Sequence, residues 1–469
     1  MTKPILYILR RDLRLGDHPG LSAAAETGRP VIPVFIDDEV LRSQGAAPRW
    51  RLGLGVAEFS DALTGVGSML ILRRGEALIE IKSLIRDTGA DTVFWSRAYD
   101  PPSVARDKSV KAALEADGIE ARSHAGHLLF EPWSVETGQG GPYRVYSPFW
   151  KTVRGRDVSS QAATVTRLAA PEVWPESLTS DDLKMGAGMR RGASVVAGFV
   201  CVGERAALDR LREFGASKMA RYKERRDFPA EDVTSGLSEN LTYGEISPRT
   251  CWLAGQRALD EGNPGAGKFL SELVWREFAY HLLWHFPALA EANWRDQWDR
   301  FPWREASEDS ERWQHGRTGV PIVDAAMREM YVTGTMHNRA RMIAASYLTK
   351  HLITHWKIGL KWFADCLTDW DPASNAMGWQ WVAGSGPDAA PFFRIFNPET
   401  QAGKFDPDNR YLDRWIAEGR NNPHEDAMAY FNAIPKHWKL SANTPYPDPV
   451  ISLPDGRMRA LDAYQVLRG

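Results

Sequence analysis

The sequence predicts an α/β doubly wound, parallel-sheet N-terminal domain, then a long linker and an all-α C-terminal domain. Three observations carry this. Short apolar runs at 4–9, 30–36, 69–73 and 91–96 alternate with helix-like sequence, the pattern of a parallel sheet covered by helices. Between about 130 and 200 the periodicity is lost, and Pro171, Pro175 and the Ser, Gly and Asp residues of 176–193 mark a connecting segment. After residue 203 the pattern is helical nearly to the end, with Pro-rich extended pieces near 386–398 and 442–454. The expected boundaries are therefore 1–130, 131–200 and 201–469, and 469 residues is indeed too long for one ordinary core.

Composition narrows the class. With 43% hydrophobic and 25% charged residues the chain reads as globular. No apolar run approaches the roughly 20 residues that span a bilayer. The opening MTKPILYILRRDLR turns basic too early for a secretory signal. Cys201, Cys251 and Cys366 form no pair motif, so a reducing, cytoplasmic compartment is expected. A net charge of −2 argues against indiscriminate polyanion binding, yet leaves room for a local basic face. Of 19 tryptophans, 13 follow residue 270, a density that suggests stacking or redox duties beyond packing.

Several familiar motifs are absent. Arg10-Arg11-Asp12 follows the first strand where a dinucleotide-binding Gly-x-Gly-x-x-Gly would stand, and Gly53-x-Gly55 falls within a helical pattern. Gly262–Lys268 imitates a phosphate-binding P-loop but meets Phe269 where a Ser or Thr is needed, so it reads as a loop between helices. His281/His285 and His351/His355 have helical spacing without a third ligand or an intervening Glu, and read as partner-satisfied histidines rather than a metal site. No Gly-x-Ser-x-Gly elbow supports nucleophilic hydrolysis.

What remains is a set of unusual mixtures. Residues 369–381 (DWDPASNAMGWQW) join two carboxylates, Asp369 and Asp371, to the amide Asn375 and the indoles Trp379 and Trp381. That combination suits a pocket for a large, flat, polar-edged ring. On a helix over 271–279, Glu272, Trp275, Arg276 and Ala279 share one face, which reads as a recognition face. Asn338, Arg341, Met342 and Ala345 align in the same way, with Arg339 beside them. Thr234-Ser235-Gly236-Leu237-Ser238 follows the basic run 221–226 and can turn several donors toward phosphate; the competing reading is a helix cap and turn.

Together these pieces resemble the DNA photolyase/cryptochrome family over nearly the whole chain. The residues that carry the resemblance are Arg10–Arg14, Thr234–Ser238, Ser271–Phe278, Gly334–Arg339, Asp369–Trp381 and Gly384–Pro398. The resemblance implies an antenna domain, a linker and a helical domain that binds FAD. It implies light-driven repair of cyclobutane pyrimidine dimers, by electron transfer from photoexcited reduced FAD to a flipped-out dimer. The alternative is a blue-light photoreceptor of cryptochrome type without repair activity; a flavin oxidoreductase working in the dark is a third reading. Damaged DNA is the implied partner, with no membrane and no metal, and the protein is expected to act as a monomer.

Carried over by position, Tyr222 and Thr234, Ser235, Gly236, Leu237 and Ser238 match FAD diphosphate and ribityl contacts, and Asn338 joins the cofactor set. Asp369 pairs with Arg341 beside the isoalloxazine. Asp371 matches the carboxylate that accepts from the ring N–H, and Asn375 the amide at N5, where a neutral group suits a reduced, anionic ring. Trp379, Trp356 and Trp303 match the chain of three tryptophans that carries electrons to the flavin. Glu272 matches the carboxylate on the lesion's base edges. Trp275 and Trp381 match its flanking indoles, with Arg276, Asn338 and Met342 around them, and Arg339, Arg394 and Gln401 reach the DNA backbone. Pro102 and Ser103 stand where folate-binding relatives have an Asn-Glu pair, and Ala98 where deazaflavin-binding relatives have an acid. The antenna chromophore, folate or deazaflavin, is therefore open.

Overall fold

The computed structural model describes residues 2–388 and 393–468, so residues 389–392 of the Gly384–Pro398 run lie outside the described part. β1 (Ile5–Leu9) pairs in parallel with β2 (Val31–Asp37) on one side and β4 (Thr92–Ser96) on the other. β3 (Ile71–Arg74) and β5 (Glu120–His124) form the edges, giving the order β3-β2-β1-β4-β5. The side chains of the sheet divide by pleat. Tyr7, Leu9 and Phe35 pack with Leu21 of α1 (Pro19–Glu26) and Leu52 and Val56 of α2 (Ala46–Gly65). Leu6, Ile8 and Val34 pack on the other face with Ile81 and Leu84 of α3 (Ala77–Thr88) and Val110 and Leu114 of α4 (Pro101–Ala116). The fold is doubly wound, as expected.

β5 is an addition to the four expected strands. Its sequence, EARSH, buries only Ala121 and leaves Glu120 and Arg122 exposed, because an edge strand covered on one face carries no apolar run. Gly53 and Gly55 lie inside α2, and Gly262–Gly265 is a loop leading into α7 (Ala266–His285), so neither glycine motif binds phosphate through a strand-loop-helix turn.

The C-terminal half is helical. Between the two halves stands α5 (Tyr146–Val153), followed by α6 (Ser238–Thr242) and α7. α8 (Pro321–Thr333), α9 (Asn338–Ser346), α10 (Trp356–Cys366) and α11 (Pro372–Ala383) complete the set that matters for the site. One core gathers around α7 with Phe269, Val274 and Phe278, and a second around α8 to α10 with Val323, Met330, Leu348 and Phe363. α11 opens with Asp371 as N-cap and Pro372 at the first position, a strong start signal, and closes at left-handed Gly384.

The halves meet backbone to backbone. A Cβ on Gly45 would stand 2.2 Å from the Ala364 carbonyl, and one on Gly244 would stand 2.2 Å from the Arg11 carbonyl. Asp365 accepts from the Ala46 N–H at 2.8 Å. Beneath these contacts Arg51, fully buried on α2, binds Glu239 and takes Glu245 with two nitrogens at 2.9 and 2.7 Å. Thus α2 is pinned to α6 by charge as well as by shape.

Candidate functional site

A cavity of about 1110 Å³ opens among α6, α7, α9 and α11, and it brings together most of the residues singled out above. Tyr222 and the stretch Thr234–Ser238 form one end. Asp369, Asp371, Asn375 and Arg341 line the cavity too, as do Glu272, Trp275, Trp381, Met342 and Asn338, with Arg226 joining Glu272 to Tyr222. Trp379 and Arg394 also reach it. Local spacing had put these residues on separate motifs; tertiary packing makes them one surface.

Asp369 is the hub. Its two oxygens face the Arg341 Nη2 at 3.0 and 2.8 Å, and the Ser238 hydroxyl donates to it at 2.8 Å. Arg341 is held from behind by the Met336 carbonyl at 2.7 Å. Asp371 caps α11 by accepting from the Ser374 N–H at 2.7 Å, while the Tyr280 hydroxyl donates to its other oxygen at 2.6 Å. Each oxygen keeps a lone pair for a ligand N–H. Burial and the Asp371 charge push the Tyr280 hydroxyl well above its ordinary range, so it stays a donor.

At the polar end, Arg210 Nη1 donates to the Gly236 carbonyl at 2.7 Å and to Asn240 Oδ1 at 3.2 Å. Leu237 precedes α6 without a side-chain cap. Tyr222 is buried edge-on against Phe214, with its ring under Arg226. Glu272 is gripped by Arg226 at 2.5 Å and Lys268 at 2.6 Å. Arg210 and Glu329 are wall residues that the motifs did not suggest, and Tyr280 supports Asp371 from behind.

Arg276 and Arg339 have partners that the spacing did not show. Arg276 does not present a free cation. It donates to the His127 carbonyl at 2.8 Å and meets the His127 ring at 2.9 Å, with a side chain only 11% exposed. It is tied to His127 and also lines the cavity beside Glu272 and Trp275. Arg339 and Gln401 lie outside the main cavity and line a shallower hollow of about 530 Å³, with Met342 and Arg394 common to both. There Arg339 pairs with Asp227 at 2.8 Å and lies 4.3 Å over Phe405.

Of the three chain tryptophans, Trp379 alone lines the cavity. Trp379 is 2% exposed on the cavity wall, and its Nε1–H is buried with no partner among the described residues. Trp356 heads α10 and donates to Asn293 at 2.8 Å. Trp303 stacks on Trp298 at 6.0 Å between ring centroids, and His355 lies between it and Trp356 at 5.2 and 5.5 Å. His281 is satisfied as expected. Its Nε2 accepts from the Tyr143 N–H at 2.9 Å, its Nδ1 lies 3.2 Å from the Pro132 carbonyl, and burial lowers it to about 4.

Glu329 on α8 gives a pH test. It accepts from the Tyr411 hydroxyl at 2.5 Å and from the His337 N–H at 3.2 Å. Burial raises it from an ordinary 4.5 to about 7. Its stabilising contribution is therefore complete below pH 4.5 and is lost as pH rises through 7. Glu329→Gln should match the native protein at pH 4.5 and exceed it at pH 8, by up to about 3 kcal/mol, because a tenfold change in a protonation equilibrium is worth about 1.36 kcal/mol. Melting curves at the two pH values read this, and an equal gap at both would refute it.

The donor set fits FAD. Hydroxyls and an arginine gather at one end for phosphates, and carboxylate, guanidinium and amide edges line the cavity for a polar ring. Trp379, whose buried N–H has no partner among the described residues, lines the same space. Known proteins agree. A family model described as the FAD binding domain of DNA photolyase matches residues 269–466, and one described as DNA photolyase matches 5–171. A deoxyribodipyrimidine photo-lyase of Agrobacterium fabrum is 45% identical over 100% of this chain and 98% of its own length. The crystal structure of a class III photolyase from Agrobacterium tumefaciens superposes with a TM-score of 0.90 at 43% identity, covering 100% of this chain and 98% of that one. Cryptochrome-2 of Arabidopsis thaliana is more distant, at 32% identity over 97% of this chain and 78% of its own.

Proposed function

The chain belongs to the DNA photolyase family, and from that premise we propose that it repairs cyclobutane pyrimidine dimers in DNA under blue light. The observation that carries the proposal is the sharing of one cavity. The Asp369–Arg341 pair and Asp371 stand in the same enclosed space as Glu272, Trp275 and Trp381. A cofactor edge and a flipped dinucleotide would thus lie side by side.

FAD bound there supplies light absorption and electron donation. The chain's own residues do the rest. Ser238, Thr234, Ser235 and the Arg210-supported loop hold the phosphates, with Tyr222 and Asn338 beside them. Asp369 and Arg341 orient the ring edge, Asp371 accepts a ring N–H, and Asn375 offers a neutral amide. Trp275 and Trp381 bracket the dimer, and stacking of this kind is worth roughly 1–3 kcal/mol per base. The Glu272 carboxylate accepts from base N–H groups, held in place by Arg226 and Lys268. Arg339, Arg394 and Gln401 grip the backbone of the flanking DNA from the adjoining hollow. Trp303, Trp356 and Trp379 form the electron supply. We read the active unit as a monomer. No helix among the described residues is long and apolar enough to cross a membrane. To an antenna chromophore, folate or deazaflavin, we assign no residues.

The decisive experiment illuminates the reduced holoprotein with a thymine-dimer oligonucleotide. Restored thymines support repair, whereas dark inertness combined with no repair in light favours the photoreceptor reading. Glu272→Ala should weaken dimer binding about 10- to 100-fold, the loss of a hydrogen bond to a charged group at roughly 1.5–3 kcal/mol. Unchanged binding would remove Glu272 from the lesion site.

A further inference from the structure

Trp275 is not a free-standing wall. The ring of Tyr146, the first residue of α5, stacks on it face to face, with centroids 3.6 Å apart and planes 7° from parallel. Tyr146 itself is fixed. Its hydroxyl lies 2.6 Å from the Ser271 carbonyl and 2.8 Å from the Ser271 hydroxyl, and the residue is 7% exposed. One face of the Trp275 indole is therefore covered, and a base can use only what remains.

The same residue reaches the opposite wall. The Tyr146 backbone N–H faces the Asp388 carboxylate, and the Asp388 carbonyl accepts from the Trp381 Nε1–H at 3.1 Å. Asp388 takes a left-handed backbone, φ 53°, to make that turn. Tyr146 thus touches Trp275 directly and Trp381 through one intermediary. It comes from the segment ahead of the FAD-binding match, far from either indole in sequence.

We infer that Tyr146 is a positioning residue that sets the separation and tilt of the two indole walls, and so the selectivity for a flipped pyrimidine dimer over undamaged bases. This rests on the proposed dimer site. A flat ring stacked at 3.6 Å prevents the indole from rotating when no lesion is bound, so recognition surface is organised in advance.

The test measures dark binding of the FAD-loaded protein to matched dimer-containing and undamaged oligonucleotides, with the flavin spectrum recorded alongside. Tyr146→Phe, which keeps the stacked ring, should retain most of the discrimination. Tyr146→Leu should lose about tenfold or more for the dimer, with undamaged binding and the flavin spectrum unchanged, and should repair a saturating dimer at close to the native rate. Equal discrimination in Tyr146→Leu and the native protein overturns the inference. If Tyr146→Leu does not fold or loses FAD, Asp388→Ala decides: reduced dimer discrimination supports the coupling and native discrimination overturns it. A native protein that itself fails to distinguish the dimer overturns the dimer site as well, so the two failures are told apart by the native arm.

Discussion

Replacing Asp369 with asparagine is expected to strip the protein of FAD and lower its melting temperature. The exchange keeps shape and removes charge. It leaves the Arg341 guanidinium facing a neutral group, though Met336 still accepts from its Nε. Breaking a fully buried pair costs roughly 3–5 kcal/mol; because the Arg341 side chain keeps 27% exposure, about 2–3 is the expectation here. The damage spreads because Asp369 also receives the Ser238 hydroxyl, and its carbonyl accepts from Thr242 at 3.3 Å. Both contacts tie α6 to the α11 entrance. Gel filtration followed by the absorption ratio of flavin to protein reads retention directly, and a variant that keeps stoichiometric FAD would disprove the role of the pair.

Gly359→Ala is expected to disable light-driven reduction of the flavin while costing stability. A Cβ at Gly359 would stand 2.0 Å from Cη2 of Trp379 and 2.5 Å from Cζ3, so α10 must recede or the indole must turn. Alanine favours a helix by about 1 kcal/mol over glycine, so an unobstructed site would gain. Overpacking of typically 1–3 kcal/mol opposes that gain, and at 2.0 Å from a wedged ring the upper end applies. Phe363 at 4.9 Å and Trp313 at 6.0 Å leave the indole little room to retreat. The companion Trp379→Phe fills the site without the indole. It should bind FAD normally, repair dimers when reduced chemically, and photoreduce far more slowly with an external donor. Native photoreduction in Trp379→Phe would exclude Trp379 from electron supply, and a stabilised Gly359→Ala would refute the packing argument.

The fold was readable where burial leaves a local trace. β1 and β2 are buried at every position and announce themselves as apolar runs, whereas β5 is half solvated and does not. The structure adds that Asp371 caps α11 and Pro372 opens it, which the reading of 369–381 as a ring pocket did not include. The site was readable as motifs but not as a surface. Tyr280 meets Asp371 across 91 residues, and Tyr146 meets Ser271 across 125. No spacing rule spans such gaps. Arg276 illustrates the converse. An i, i+3, i+4 stripe put it beside Glu272 and Trp275, where it does line the cavity, but no stripe could show that its guanidinium is already held by a neighbour. His127 was that neighbour.

The glycine contacts at the seam carry a last consequence. With Gly45 against Ala364 and Gly244 against Arg11, and Arg51 sealed below them, closure of the halves on each other would have to break these contacts. On the proposed reading, DNA then bears the whole conformational cost of recognition. The apparent dissociation constant should scale inversely with the fraction of lesions already outside the helix. Dimers opposite mismatches, or in single strands, should therefore bind at least as tightly as those in perfect duplex, while the protein backbone stays put.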